Sequence, residues 1–182
     1  MPVDNLGNKV TRPISVWCYL WVISCVCLIP PLSASATQDI TEAKVKAAGC
    51  FIPTPKGIVL GVHTVFRDIR MPFGSRKSGE TARQTAARET LEETGLDVTV
   101  GVLLRTFEDN TALLFRCTPK ASIENYSRLR PLDALEVSEV IVMNPTTMLN
   151  HDGRKIRNAW RFPKDRTLLI ELFEEYKNRE KE

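Results

Sequence analysis

Residues 74–96 read GSRKSGETARQTAARETLEETGL. Thr81-Ala82-Arg83-Gln84 has the form of a capping box, in which a hydroxyl and an amide side chain satisfy the first free N–H groups of a helix. A helix should therefore begin just after Thr81. Gly95 can adopt the left-handed conformation that closes a helix, so the helix should stop after Thr94. At ~100° per residue, Glu89, Glu92 and Glu93 fall within an arc of roughly 100°, with Ala87, Thr90, Leu91 and Thr94 on the other side. The spacing predicts one face that packs and one that presents three carboxylates. Like charges this close repel one another unless cations sit among them. Carboxylate oxygens without Cys or His suit hard divalent ions, Mg²⁺ first and Mn²⁺ next. Arg88 can pair with or orient one of these carboxylates.

Three glutamates alone would also suit a solvated acidic face; the residues around them decide. The whole segment resembles the Nudix box: a Gly, five residues, a Glu, seven residues, then Arg-Glu-U-x-Glu-Glu-x-Gly-U, with U apolar. Gly74, Glu80, Arg88, Glu89, Glu92, Glu93, Gly95 and Leu96 stand at its fixed positions. Thr90 occupies one U position. Phe73 stands where many members carry a glycine, and Lys77 where many carry an acid. The resemblance implies an α/β fold, an α/β/α sandwich with a mixed sheet. It also implies Mg²⁺-dependent (or Mn²⁺-dependent) hydrolysis of a diphosphate bond in a nucleoside diphosphate linked to another group X, or in a related phosphorylated metabolite. Carried over by position, Glu89, Glu92 and Arg88 form the catalytic set. Glu89, Glu92 and Glu93 would hold the metal, with Glu80 and the Gly74 loop close to it. Members often add a glutamate from outside the box; Glu136 and Glu139 flank a late strand, and Glu136 is preferred. A catalytically silent Nudix-fold binding module for a phosphorylated ligand is the alternative that Lys77 and Phe73 raise.

Outward from the box, apolar runs at Ala47–Ile52 and Ile58–Phe66 are split by Pro53, Pro55 and Gly57, which suggests two strands and a turn. Val98–Phe107 and Thr111–Cys117 form a second pair around Glu108-Asp109-Asn110, and Val137–Met143 is a further strand. Asn144-Pro145 reads as a cap followed by a first-turn proline. After Asp165, Leu168, Leu169, Leu172, Phe173 and Tyr176 recur at helical spacing, and Lys177–Glu182 reads as a solvated tail. Phe66, Phe107 and Phe115 read as core, and His63 as a core or cleft-edge residue. Strands around a central helix with a second helix at the end make a layered α/β domain.

The late basic stretch offers substrate contacts: Arg154 and Arg157 for phosphates, and Trp160 for a stacked base. Some branches of the family carry a proline or tyrosine in the window beyond the box where Asn110–Leu113 stands here. Its absence weakens the ADP-ribose and dinucleoside polyphosphate readings.

The chain of 182 residues is 26% charged and 43% hydrophobic, which excludes a wholly disordered or collagen-like protein. A formal charge of +3 is too small to argue for nucleic acid, and two histidines leave little room for a His-rich metal site. Ile14–Ile29 holds sixteen residues without a charge, behind Lys9 and Arg12 and ahead of Ala34-Ser35-Ala36. That pattern predicts a signal peptide over residues 1–36 and a working domain over 37–182, exported to a periplasm or secreted. An uncleaved leader would instead anchor the chain to a membrane. The expected partner is a small-molecule diphosphate; the oligomeric state stays open. Cleavage would leave Cys50 and Cys117 of the five cysteines, either paired or as buried free thiols.

Overall fold

The computed structural model describes residues 44–181. The expected leader lies outside the described residues. Nine strands and two helices follow one another as β1 (Ala47–Phe51), β2 (Pro53–Thr54), β3 (Gly57–His63), β4 (Ile69–Arg70), β5 (Phe73–Ser75), α1 (Ala82–Thr94), β6 (Val98–Phe107), β7 (Ala112–Pro119), β8 (Val137–Asn144), β9 (Leu149–Asn150) and α2 (Pro163–Arg179). A 3-10 turn occupies Tyr126–Arg128 between β7 and β8.

The strands form two sheets. One has the order β5-β1-β7-β6, with β1 parallel to β7 and the other pairs antiparallel. The second has the order β2-β3-β8-β9, with β4 added to β3, and is antiparallel throughout. Side chains alternate across a strand, and this alternation divides the interior into two cores. Ala48, Cys50, Leu113, Phe115 and Val142 pack with Ala82 and Ala86 of α1. Phe51, Leu114, Leu60 and Met143 pack with Leu169, Leu172 and Phe173 of α2. Burying each of those three α2 side chains contributes roughly 2 kcal/mol, more than the few tenths per residue that helix propensity supplies. Docking against the sheets, rather than local preference, holds α2 in place. The result is an α/β fold with one mixed and one antiparallel sheet.

Several expectations change. The first two apolar runs do not pair with each other: β1 joins the first sheet and β3 the second, and Pro53-Thr54 crosses between them to pair with β3. The second run ends at His63, because His63 Nδ1 accepts the backbone N–H groups of Val65 and Phe66 and turns the chain. Phe66 is consequently 63% exposed rather than core. Asn144 caps a turn and not a helix: its Oδ1 accepts from Thr146 N and Thr147 N, and the chain then returns as β9. Finally, α2 starts at Pro163 and runs to Arg179, so Lys177–Arg179 are helical. The β6–β7 hairpin falls where expected, its turn made by Glu108, Asp109 and Asn110, all at positive φ. Among the described residues no helix is long and apolar enough to cross a membrane.

The parallel pairing of β1 with β7 brings Cys50 and Cys117 together, and the structure joins them as a disulfide with Cα atoms 5.5 Å apart. Closing a loop of 67 residues restricts the unfolded chain by about 4 kcal/mol in the loop-entropy account. Reduction, or Cys117→Ser, is expected to lower unfolding stability by about 2–4 kcal/mol. Denaturant melts with and without reductant check this, with thiol alkylation and mass analysis reporting the bond itself.

Candidate functional site

Thr81 and Gln84 form the expected capping box, and Gly95, at φ 74°, closes α1 with its N–H on the Leu91 carbonyl. A side chain at Gly95 would also press on the Arg130 carbonyl. The ends of the helix thus follow the sequence; its faces do not. The buried residues are Ala82, Thr85, Ala86, Glu89, Thr90, Glu93 and Thr94, while Leu91 is exposed. Glu89 and Glu93 occupy the centre of the buried face, at 7% and 2% exposure. Hydrophobic-wheel reasoning places charges outward; here the helix carries them inward, which is costly unless each charge is paired.

Arg88 supplies most of that pairing. Its Nε donates to Glu80 Oε1 (2.6 Å) and its Nη2 to Glu80 Oε2 (3.0 Å) and the Ser75 carbonyl (2.9 Å). Its Nη1 donates to Glu89 Oε1 (2.7 Å) and Glu92 Oε2 (2.8 Å). A guanidinium has five N–H donors, and all five are used. Glu80 also accepts from Lys77 N and Thr85 Oγ1, both at 3.0 Å. The hydrogen bonds from Arg88, foremost, hold its carboxyl down to about 2 from the usual 4.5. Gly74 is required beside this cluster, since a Cβ there would collide with the Glu89 carboxylate.

Glu93 is the exception to this pairing. Its Oε2 accepts from Phe73 N at 3.0 Å, but its Oε1 is buried with no partner among the described residues. Burial pushes its carboxyl up to about 8, and the charges of Glu136 and Glu89 push the same way, against Arg70. Burial also raises Glu89, opposed by Arg88. Glu136, exposed at the head of β8, therefore acts on this cluster, whereas Glu139 lines a separate cleft. Glu92 is the most exposed of the three helix glutamates, with Lys77 Nζ 3.4 Å from its Oε1. Among the described residues no three His, Cys, Asp or Glu side chains already stand at ligating spacing. The donor set nonetheless suits a hard divalent ion: among the described residues Glu93 Oε1 lacks a partner, Glu89 Oε2 carries no hydrogen bond, and Glu92 Oε1 meets only Lys77.

The proposed substrate contacts are dispersed. Arg154 lines the cleft along β8, and Arg157 is exposed. Trp160 is half-buried against the α2 core, bridged to Ile69, with Nε1 buried and unpartnered among the described residues. Other members of the basic stretch are held locally: Lys155 by the Thr147 carbonyl and Arg166 by the Pro145 carbonyl. Sequence reading missed Asp68 and Arg70, whose side chains pair at 2.8 Å beside β4, with Arg161 at 3.5 Å from the same carboxylate. Their two-residue spacing on extended chain puts them on one face, which was the available signal.

A carboxyl raised from 4.5 to about 8 binds more protons in the folded state, so it costs nothing below pH 4.5 and progressively more as pH rises to 8. Glu93→Gln is therefore expected to raise the unfolding temperature of the cation-free protein by roughly 4 °C at pH 8, and to change it little at pH 5. Thermal melts at both pH values check this; equal effects at the two would refute it.

The NUDIX domain family matches residues 43–159. No curated protein matches the chain in sequence. Solved structures do resemble it. A Nudix hydrolase from Nitrosomonas europaea is 23% identical, with 71% of this chain and 69% of that one covered and a TM-score of 0.53. An ADP-ribose pyrophosphatase from Streptococcus suis is 14% identical over 72% and 90% of the two chains, with a TM-score of 0.54. An Ap4A hydrolase from C. elegans is 17% identical over 73% and 99%, with a TM-score of 0.51. At such identities the solved structures speak for the fold. The family match covers most of the chain and includes the whole Gly74–Leu96 segment, so the chain belongs to the Nudix family, a family of diphosphate hydrolases that typically depend on a divalent metal.

Proposed function

We propose that this chain hydrolyses a diphosphate bond in a nucleoside diphosphate linked to a group X, with Mg²⁺ or Mn²⁺ as the resident cation. The observation that carries this reading is the buried, unpartnered Oε1 of Glu93 beside the carboxylates that Arg88 gathers. An orphaned buried carboxylate oxygen is costly in a folded protein unless something positive comes to it.

Glu89, Glu92 and Glu93 would hold the cation, with Glu136 adding negative charge from β8. Bound there, a divalent ion would neutralise phosphoryl charge and make water a better nucleophile. Arg88 has no donor left for substrate, so its role is positioning: it fixes the rotamers of Glu89 and Glu92. Glu80, expected near the metal, has both oxygens bonded to Arg88 and acts through it. Gly74 leaves room for the Glu89 carboxylate and lets the loop backbone come close. Glu89 or Glu92 would accept a proton from attacking water. Arg157 and Trp160 are retained as substrate-binding candidates, whereas Arg154 lines a cleft that the Gly74–Leu96 segment does not reach.

The binding-module reading has one observation in its favour: Lys77 Nζ stands on Glu92 Oε1, an oxygen the cation would need. At 62% exposure that lysine side chain is solvated, and an exposed pair of this kind contributes about 0.2–1 kcal/mol, which a divalent ion can displace.

Screening diphosphates with Mg²⁺ and analysing products by mass tests the two readings. Glu92→Gln and Glu93→Gln are each expected to lower kcat by a factor on the order of 10³. Wild-type turnover in both variants, or tight ligand binding with no cleavage by the unaltered chain, would sink the hydrolase reading. Lys77→Ala is expected to tighten Mg²⁺ binding roughly threefold, as read by titration of the cation; weaker binding would show that Lys77 supports the site.

A further inference from the structure

Strand β8 is paired on one side by β3, but on the other β9 reaches only Met143 and Asn144. The remaining open edge, from Ser138 to Ile141, forms the floor of a cleft of about 460 Å³. Tyr126 and Arg130 stand on one wall, His151 and Arg154 on the other, and Arg67 closes one end. No residue of the Gly74–Leu96 segment lines it.

Three arginines line this cleft, Arg67, Arg130 and Arg154. Elsewhere Arg70, Arg88, Arg105 and Arg161 each reach a carboxylate. Here Arg67 donates to the Ser138 hydroxyl at 2.7 Å, and Arg130 to the carbonyls of Ser127 and Leu129, both at 2.7 Å. The Arg154 guanidinium has no partner among the described residues, and none of the three meets a carboxylate there. Glu139 and Asp152 also line the cleft, and Asp152 lies 3.4 Å from His151 Nε2. Three guanidiniums against two carboxylates leave this concavity with an excess of positive charge, which an anion would offset.

Both walls are held before any ligand arrives. Asn150 Oδ1 accepts from Asp152 N and Arg154 N, and Asn125 Oδ1 from Ser127 N. Ser127 Oγ and His151 Nε2 are 2.9 Å apart across the cleft, and the Tyr126 and His151 rings lie 5.6 Å apart. Fixed walls reduce the ordering cost of binding, and planar guanidinium forks match phosphoryl oxygens in a way that ammonium groups do not. We propose that this cleft is a second anion site, separate from the helix carboxylates, which binds a phosphoryl group through Arg67, Arg130 and Arg154. The group can be free inorganic diphosphate or the phosphate end of a nucleotide whose base lies against Tyr126 and His151.

Calorimetric titration of the full chain with inorganic diphosphate in EDTA tests this, because the helix carboxylates have no cation to recruit the anion. One saturable site is expected, unchanged in Glu92→Gln and at least about tenfold weaker in Arg154→Glu and in Arg130→Ala/Arg154→Ala. Arg154 has an exposed, unbonded side chain, so its substitution leaves the fold intact; circular dichroism confirms this for both variants. Absence of saturable binding, or undiminished binding in Arg154→Glu, overturns the proposal. Tighter binding of ADP than of diphosphate assigns the site to a nucleotide; equal affinity assigns it to the phosphoryl group alone. Loss of hydrolysis with diphosphate binding intact in Glu92→Gln separates this site from the proposed reaction.

Discussion

One guanidinium organises the centre of this domain. Arg88 lies on the helix that carries the glutamates, yet three of its five donors reach across to Glu80 and to the Ser75 carbonyl in the preceding loop. The Gly74–Glu80 loop and the α1 helix are thereby locked to each other by charge-assisted hydrogen bonds, about twice as strong as neutral ones. Lysine could not replace it, since a point charge with three donors cannot satisfy oxygens from four residues in one plane. Of the two most buried carboxylates, this fork holds Glu89, while Glu93 has only the Phe73 N–H.

The helix thus carries two opposed requirements. Its buried face must pack against β1, which Ala82 and Ala86 do. The same face must also carry Glu89 and Glu93 into the interior, where an ionised carboxylate is expensive. Arg88 offsets the cost for Glu89 and Glu92; Phe73 N satisfies one of the two oxygens of Glu93. What is left over, one bare oxygen and a raised carboxyl, is strain of the kind that functional sites retain.

The legible parts of the sequence were the local ones. The start and end of α1 could be read because a capping box and a left-handed glycine are decided by a few adjacent residues. The hairpin at Glu108-Asp109-Asn110 was legible for the same reason. Tertiary assignments were not: periodicity identifies a strand but not its sheet, so β1 and β3 were grouped although they lie apart. The inward turn of Glu89 and Glu93 contradicts any reading that sends charge to solvent, and only the box spacing hinted at it. Phe66 escaped the core because His63 ended its strand through a side-chain contact that propensity does not report. The Asp68–Arg70 pair and the arginines along β8 come from separate loops, so their convergence needed the fold. Cys50 and Cys117 could not be matched until β1 and β7 were found side by side.

That side-by-side placement also sets an order of assembly. Ala48 pairs in parallel with Leu113, and a parallel pair requires the intervening chain to cross over before it can form. Glu80, Arg88, Glu89, Glu92 and Glu93 all lie inside this crossover. During synthesis α1 therefore has β1 and β5 to rest on, but no completed sheet until β7 has emerged and inserted between β1 and β6. Such distant pairing is slow to find. The helix that carries the glutamates is made before β7, the strand that completes the sheet beneath it.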